Sequence, residues 1–366
     1  MNKITAVILV IILAAVPLLS LAIEGKESSF VLDVSGGMDT VPAQTEQLLN
    51  KSIPGKIFLE RIKHRLLVLG GAEEFGGVFL HEGNLINNYR PDAENGITGN
   101  LQNVIDFIEQ KQMPSYLMMI PTECVVCQEE VPELADIFNQ KTMIDTMYSA
   151  FSGNAITVDA YGALFRNREK DVYYNTHALP TSLGGYYLYS ELIERLGRSP
   201  HDIDEFDISY AGYGFYGSDY DKMPLEGVKS DAVSLYYYNS YNRSYTVTHF
   251  KEGQTYTYDR LYIAEYESAE DKTDIIFGGL SPIVTVDTMG PYTDELLIFG
   301  DETAKCYVPF LVNHYARITI VSLDKLTPSL AKNIDTERYR QVLFAYSVDT
   351  FAKMGSLDNI KMLFEE

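Results

Sequence analysis

The chain has 366 residues and a formal net charge of −22, from 51 acidic and 29 basic side chains. Such an acidic surface repels phosphate backbones and anionic lipid head groups, which argues against nucleic-acid binding and against adsorption to anionic membranes. Hydrophobic residues make up 46% of the chain, as in an ordinary folded protein. The length is enough for one large α/β domain with an insertion, or for two modest domains.

The N-terminus carries an apolar segment that predicts a membrane anchor. Residues 4–23 contain no charged side chain and are numerous enough to span a bilayer as a helix. Lys3 precedes this run, which favours a cytoplasmic N-terminus and an extracytoplasmic body. The alternative is a cleaved signal sequence with its cleavage site at residues 20–22. We therefore predict an anchor or signal segment over 1–23, a tether over 24–55 and a folded domain over 56–366.

Hydrophobic periodicity predicts alternating helices and strands in the first half of this domain. In chain order they are a helix over 56–69, a β-hairpin over 76–86, a helix over 101–112, a strand over 116–120, a helix over 133–151, a strand over 155–159, a short helix over 161–165 and a helix over 182–196. The strand over 116–120 is continuously apolar, which is typical of a strand buried on both faces. This alternation predicts an α/β fold with a parallel sheet covered by helices on both faces.

Residues 206–266 differ in character from the rest of the chain. They hold a large share of its 27 tyrosines together with alternating runs, which predict a β-rich insertion. One interpretation is a surface on which sugar rings stack, and the other is that tyrosine simply suits half-buried strands. After the insertion the sheet is expected to resume, with strands over 296–299, 317–323 and 342–346 and a short helix after residue 349.

The chain has three cysteines, of which Cys124 and Cys127 form a C-x-x-C pair and Cys306 is distant. No second C-x-x-C is present, so a four-cysteine zinc site is excluded. A redox motif normally lies at a helix N-terminus, whereas this pair is expected to follow a strand. We interpret the pair as structural, as a disulfide or as free thiols, with redox catalysis as the alternative.

Two strand-to-helix turns carry the patterns that bear most on function. The first reads YYNTHALPTSLGGYY over 173–187, and the second reads LLIFGDETAKCYVPFL over 296–311, followed by Asn313-His314-Tyr315. Turns of this kind place reactive groups at the carboxyl edge of a sheet. A nucleophile there needs a small, exposed side chain close to helix amides that stabilise an oxyanion.

Both turns resemble motifs of the DHHW family, which are relatives of the SGNH-like alginate O-acetyltransferases. Family members read approximately YYRTDHHWTxLGAYYAY and LLxxKDSYAxCFVPFLxxHY, and supporting matches are MIPT over 119–122, FYGS over 215–218 and FGGLSPIVTV over 277–286. The resemblance covers roughly residues 56–350. It implies a three-layer, SGNH-hydrolase-like fold and a catalytic triad of Asp and His from the first motif and Ser from the second.

Every position that would carry this chemistry differs in the present chain. By position, the family's Asp falls on His177, its two His on Ala178 and Leu179, its Trp on Pro180, its Ser on Glu302, and a further Asn-His pair on Leu280 and Ser281. Leu179 cannot accept a proton, and acylation of Glu302 would give a mixed anhydride instead of an ester. The charge of Glu302 would also repel a developing oxyanion.

The sequence therefore predicts a catalytically degenerate protein of the cell membrane, or a secreted one if the N-terminal segment is cleaved. Its expected role is binding or assembly of cell-envelope polysaccharide, with polysaccharide or assembly proteins as partners. The alternative is an active O-acetyltransferase or esterase with non-standard residues, in which His177 and Glu302 face each other. No metal ion or other cofactor is predicted. The candidate cleft residues are Tyr174, Asn175, His177, Asp301, Glu302 and Thr303.

Overall fold

The structure, a computed structural model, describes residues 61, 64–68, 71, 74–91, 96–132, 135–239 and 244–364. The predicted anchor and tether lie outside these residues, as does most of the helix predicted over 56–69, of which 64–68 are helical. In the described ranges, no helix combines the length and the apolar character needed to cross a membrane.

The described residues divide into two compact units: the first contains 61, 64–68, 71 and 223–226, and the second contains the described residues of 74–222 and 227–364. Within the first unit, Arg65 forms an ion pair with Glu226 at 3.2 Å. The second unit contains every strand and helix named below.

The strands of the second unit are β1 (Glu74–Phe75), β2 (Val78–His81), β3 (Asn84–Asn87), β4 (Ser115–Ile120), β5 (Ile156–Val158), β6 (Phe206–Phe215), β7 (Asp231–Tyr238), β8 (Tyr245–Lys251), β9 (Gln254–Tyr258), β10 (Ile283–Thr288), β11 (Glu295–Gly300), β12 (Arg317–Val321) and β13 (Gln341–Ser347). Its α-helices are α1 (Ile97–Lys111), α2 (Glu123–Val126), α3 (Gln140–Ala150), α4 (Ala160–Phe165), α5 (Ser182–Arg195), α6 (Ser218–Lys222), α7 (Ala304–Leu311), α8 (Pro328–Ala331) and α9 (Val348–Ala352).

An eight-stranded sheet with the order β5-β4-β13-β11-β12-β10-β8-β9 forms the centre of the second unit. The first five strands in this order (β5, β4, β13, β11 and β12) are parallel to one another. The last three (β10, β8 and β9) each pair antiparallel with the strand before them. The predicted parallel sheet is thus corrected to a mixed one. Strands β8 and β9 belong to the segment predicted as an insertion, yet they extend the central sheet. The other strands of that segment, β6 and β7, form a two-stranded sheet, and β1, β2 and β3 form a three-stranded one.

Apolar side chains alternate between the two faces of the central sheet, and helices cover both faces. On one face, Met118 of β4 belongs to the same core as Leu192 of α5. On the other face, the neighbouring Leu117 shares a core with Phe107 of α1. The alternation follows from the two-residue period of a strand, and it explains why β4 is continuously apolar. The predicted arrangement of helices on both faces is therefore confirmed.

Two local predictions need correction. The helix predicted over 133–151 begins only at Gln140, because the Asn139 side chain accepts a hydrogen bond from Thr142 N at 3.0 Å and caps the helix there. The C-x-x-C pair does follow strand β4, but Cys124 lies within α2 and Cys127 just after it. Both cysteines are buried, and they are not joined by a disulfide. Burial raises the pKa of Cys124 to about 11, so this thiol is protonated at neutral pH, which favours the structural interpretation.

Candidate acyl-transfer site

Helices α5 and α7 bring the two sequence motifs side by side. Thr181 caps α5 by accepting a hydrogen bond from Gly184 N at 3.1 Å, and the residues just before it form the His177 turn. The Glu302 turn joins β11 to α7. The two helices approach so closely that a Cβ atom on Gly185 would lie 2.0 Å from the backbone oxygen of Cys306. Glycine at this position thus allows the two turns to meet.

Asp231 of β7 holds the first turn in place. One of its carboxylate oxygens accepts hydrogen bonds from N and Nδ2 of Asn175, both at 2.8 Å. The other accepts hydrogen bonds from N and Oγ1 of Thr176, at 2.9 and 2.5 Å. Burial raises the pKa of Asp231, although these four bonds work in the opposite direction. Asn175, a predicted cleft residue, thus helps to fix the conformation of the turn. The sequence analysis did not identify Asp231, because it lies 56 residues further along the chain.

Asp301 holds the second turn in a similar way. Its Oδ1 accepts hydrogen bonds from N and Oγ1 of Thr303, at 3.0 and 2.5 Å. Its Oδ2 accepts hydrogen bonds from N and Oγ of Ser347, at 2.8 and 2.5 Å, which ties the end of β11 to the end of β13. Burial raises the pKa of Asp301. The polar atoms of Asp301 and Thr303 therefore serve the conformation of the turn.

A buried ammonium group lies among the carboxylates of the site. The Nζ atom of Lys305 is 2.9 Å from Asp274, 3.0 Å from Glu302 and 3.1 Å from Asp271, and the lysine side chain is only 1% exposed. Burial by itself lowers the pKa of Lys305, but the three carboxylates more than offset this and raise it. A second lysine, Lys325, contacts the other oxygen of Glu302 at 3.1 Å. Lys305 is consequently charged at every physiological pH.

His177 reaches this cluster through Asp271 and makes no direct hydrogen bond to Glu302. Its Nε2 is 3.5 Å from a carboxylate oxygen of Asp271, and its Nδ1 accepts a hydrogen bond from Leu179 N at 3.2 Å. An accepting Nδ1 places the proton of the neutral ring on Nε2, on the side of Asp271. Burial works to raise the pKa of Asp271, but the hydrogen bond from His177 and the charge of Lys305 hold it well below its usual value.

Apolar packing occupies the position where the resemblance places a catalytic histidine. Leu179 is buried against Tyr174 and Cys306. The Cys306 thiol donates a hydrogen bond to the backbone oxygen of Pro180 at 3.0 Å. Burial raises the pKa of Tyr174 and of Cys306, so both stay protonated. Tyr174 also borders a cavity of about 210 Å³ together with Asn175 and Asp231, so two of the predicted cleft residues do face a cavity.

The cluster is an ion-pair network centred on Lys305, and His177 contacts it through Asp271. Glu302 is a carboxylate held by two ammonium groups; burial works to raise its pKa, but the charges of Lys305 and Lys325 lower it. A carboxylate so held is a poor attacking group, because its charge is already neutralised and its acyl product would be an anhydride. In the described part of the chain, no group of three His, Cys, Asp or Glu side chains is arranged to bind a metal ion.

A hydroxyl–imidazole pair that the sequence did not reveal lies at Ser281, where the resemblance places a histidine. The Oγ atom of Ser281 is 2.9 Å from Nδ1 of His249, and Nε2 of His249 is 2.8 Å from the backbone oxygen of Phe277. The carbonyl can only accept, so Nε2 donates to it and Nδ1 accepts from the serine. Both side chains are buried, and burial lowers the pKa of His249, so the imidazole is neutral at neutral pH.

Comparisons with known proteins agree with the motifs. The family model described as DHHW protein matches residues 73–321. A solved DHHW family protein from Eubacterium siraeum DSM 15702 is similar at 18% identity, with 78% of this chain and 96% of that chain covered and a TM-score of 0.64. Bacillus cereus PatB1 is similar at 14% identity, with coverage of 78% and 99% and a TM-score of 0.61.

A second structure of Bacillus cereus PatB1, with a sulfonyl adduct, is similar at 12% identity, with coverage of 79% and 97% and a TM-score of 0.62. No curated protein sequence matches the chain. At these identities the solved structures bear on the fold, and they share its mixed α/β architecture. The family match covers more than half of the chain, which confirms the resemblance carried by the two turns: the chain belongs to the DHHW family.

Proposed function

We propose that this chain is a non-catalytic member of the DHHW family that binds polysaccharide outside the cytoplasm. The supporting observation is the ammonium group of Lys305, bound by Glu302 where the family's nucleophilic serine falls by position. Loss of a single triad member typically costs several decades of rate. Here the nucleophile and both histidines are replaced, so negligible acyl transfer is expected from this site. The predicted apolar segment at 4–23 supports an extracytoplasmic location.

A second candidate function is an active O-acetyltransferase or esterase that uses other residues. The observation that favours it is the 2.9 Å contact between Ser281 and His249, because a hydroxyl hydrogen-bonded to a neutral imidazole is the core of a serine nucleophile. In this mechanism, Oγ of Ser281 attacks the acyl carbon while its proton passes to Nδ1 of His249. The bond from the acyl carbon to the ester oxygen then breaks, and the alcohol leaves with that proton, so that an acyl-serine and a neutral imidazole remain. The pair is buried, so substrate would reach it only after a local opening.

The two candidates are separated by assaying the purified chain on p-nitrophenyl acetate and on acetylated glycans. We expect no turnover above the uncatalysed rate and, after incubation with a sulfonyl fluoride, no adduct in the intact mass. The matched variants are Glu302→Ala, which tests the degenerate site, and Ser281→Ala, which tests the buried pair. Turnover abolished by either substitution would contradict the proposal, and turnover abolished by Ser281→Ala alone would establish the second candidate.

A triple variant, His177→Asp with Leu179→His and Glu302→Ser, restores the family's residues at three positions. If the two turns still have the backbone geometry of an acyl-transfer site, this variant should gain measurable esterase activity, whereas the native chain should have none. Lys305 remains in the triple variant and still pairs with Asp271 and Asp274, so the gain is expected to be partial.

A further inference from the structure

One cavity of the second unit has five tyrosines among its thirteen lining residues. Its volume is about 560 Å³, within the range of roughly 300–1,000 Å³ that is usual for small-molecule sites. Strand β7 contributes Tyr236, Tyr237 and Tyr238, the segment after β9 contributes Tyr262, and the chain after α7 contributes Asn313. The residues that line this cavity include none of the acyl-transfer positions and neither member of the Ser281 pair.

One exposed aromatic ring in this cavity is held by a rigid neighbour. Tyr237 is 47% exposed, and its ring meets the ring of Tyr262 edge to face, with centroids 5.0 Å apart. The hydroxyl of Tyr262 donates a hydrogen bond to the backbone oxygen of Tyr236 at 2.8 Å and accepts one from its backbone N at 3.3 Å. Tyr262 is thereby fixed to β7. A ring positioned in this way offers an apolar face at low entropic cost.

An unsatisfied acceptor at the cavity wall indicates what kind of ligand would fit. Asn313 is 1% exposed, and its Nδ2 donates to the backbone oxygen of Phe310 at 3.2 Å. Its Oδ1 has no hydrogen-bond partner among the residues that the structure describes. Leaving such an acceptor unsatisfied costs about 1–3 kcal/mol. A ligand rich in hydroxyl donors would remove that cost, whereas a hydrocarbon would not.

The charges around the cavity argue against an anionic ligand. Asp207 and Asp259 line it, and Arg260 is the basic residue among its lining side chains. Arg260 is already paired with Asp259, with Nε 3.0 Å from the carboxylate. One negative charge is left over, on a chain whose net charge is −22. Polyuronates and phosphorylated glycans would therefore be repelled.

We infer that this tyrosine-lined cavity binds uncharged sugar residues of a polysaccharide. The apolar faces of the pyranose rings lie on Tyr237. A sugar hydroxyl donates to Oδ1 of Asn313 once a local shift of the cavity wall opens access to this buried atom. The inference rests on the proposed function only in assuming that the chain binds glycan. It assigns that binding to a place other than the degenerate acyl-transfer site and limits the glycan to an uncharged class.

The test is calorimetric titration of the full chain in mild detergent with oligosaccharides of equal length. The panel contains neutral β-glucan and chitin fragments and, for comparison, polyuronate fragments. We expect binding of a neutral member and at least about tenfold weaker binding by Tyr237→Ala, since one aromatic anchor is lost. Tyr237→Phe keeps the ring and should bind like the native chain. Tyr213→Ala is the matched control, because Tyr213 is 67% exposed and does not line the cavity.

The outcomes separate the inference from the proposed function. If the chain binds a neutral glycan and Tyr237→Ala binds as tightly as Tyr213→Ala, the cavity assignment is overturned while polysaccharide binding stands. A preference for polyuronate overturns the uncharged class. Failure to bind any member of the panel overturns the inference together with the binding half of the proposed function. Circular dichroism melts of each variant confirm that a loss of affinity is not a loss of fold.

Discussion

Lys305 carries a charge that folding removes from water, and three carboxylates make that burial tolerable. A single buried ammonium is costly, and the cost is recovered only when its hydrogen bonds are made by charged partners at good distances. Asp271, Asp274 and Glu302 provide such partners, all within 3.1 Å. The position of Glu302 is thus explained by a structural need of the ion-pair network. Catalysis is not required to explain it.

Replacing Lys305 by methionine should therefore destabilise the chain strongly. The variant leaves Asp271 and Asp274 without their ammonium partner and Glu302 with Lys325 alone. Breaking a fully buried ion pair typically costs about 3–5 kcal/mol, which is an upper bound here because the three carboxylates are 31–43% exposed. Lys325→Met is the control, because its side chain is 42% exposed and bonds the same Glu302; an exposed pair contributes only ~0–1 kcal/mol. Urea unfolding at pH 7 measures both. Equal stability of the two variants would contradict this account of the site.

The deficit of Lys305→Met should also depend on pH in a definite direction. Lys305 helps to lower the folded-state pKa of Asp271 and Glu302. A lowered carboxyl pKa gives stability that is present above the unfolded-state value of roughly 4 and is lost as the pH falls through the folded-state value. The variant lacks this contribution at pH 7. Its deficit should accordingly be largest at neutral pH and should shrink below roughly pH 4.

Of the three carboxylates around Lys305, only Glu302 could be predicted from the sequence to lie near it. Glu302 lies in the turn just before α7 and Lys305 in the first turn of that helix, so a separation of three residues already brings them close. Asp271 and Asp274 lie 34 and 31 residues from Lys305 and carry no motif, so only the folded chain brings them together. The pair of Ser281 and His249 was missed for the same reason, since 32 residues separate its members.

Helices α5 and α7 depend on a glycine for their close contact. Gly185 faces the backbone oxygen of Cys306, and a methyl group there would overlap with it at 2.0 Å. Backbone cannot move aside as the end of a flexible side chain can. The two turns that carry His177 and Glu302 are attached to these helices, so their separation is set by this contact.

Gly185→Ala should push the two helices apart and lower stability. Overpacking of a well-packed interior costs about 1–3 kcal/mol. The control is Gly99→Ala on α1, where an added Cβ meets nothing within 4 Å; alanine should be neutral or stabilise by about 0.5–1 kcal/mol there, because glycine is a poor helix former. Chemical denaturation measures both variants. A Gly185→Ala variant as stable as Gly99→Ala would show that the helices can adjust without cost.

Elements were predictable where the pattern was local. Helix α5 was predicted within one residue of its observed end, because its capping threonine and helical spacing are both present in the sequence. The predicted start of α3 was too early, because the acidic and apolar residues before Asn139 also have a helical pattern. The helix begins after Asn139 because the side chain of this one residue caps it. Strand β8 shows the alternation of a strand, but alternation does not specify the neighbour, which proved to be β10.

The central sheet joins these elements into one fold. The sequence pattern could not predict which of its strands run parallel and which antiparallel. Strands β11 and β12 are parallel neighbours, yet β10 joins the far side of β12 antiparallel. Both kinds of strand read as apolar runs when both faces are covered. The family resemblance predicted the layered architecture as a whole, which the two separate cores on opposite faces of the sheet confirm.

The charge of the whole chain gives the last prediction. A net charge of −22 repels itself in the compact state, and dissolved salt screens this repulsion, because the Debye length falls from about 30 Å at 0.01 M to about 8 Å at 0.15 M ionic strength. The melting temperature at pH 7 should therefore rise by about 2 °C or more over this range, equivalent to roughly 1 kcal/mol.

Near the isoelectric point of about 4.6 the net repulsion vanishes, and so should the effect of salt on the melting temperature. Lys305 itself is buried, so salt weakens its ion pairs less than it weakens interactions between fully exposed charges. Differential scanning calorimetry at both pH values decides the matter, and a melting temperature that falls with salt at pH 7 would mean that attractive ion pairs outweigh the net repulsion.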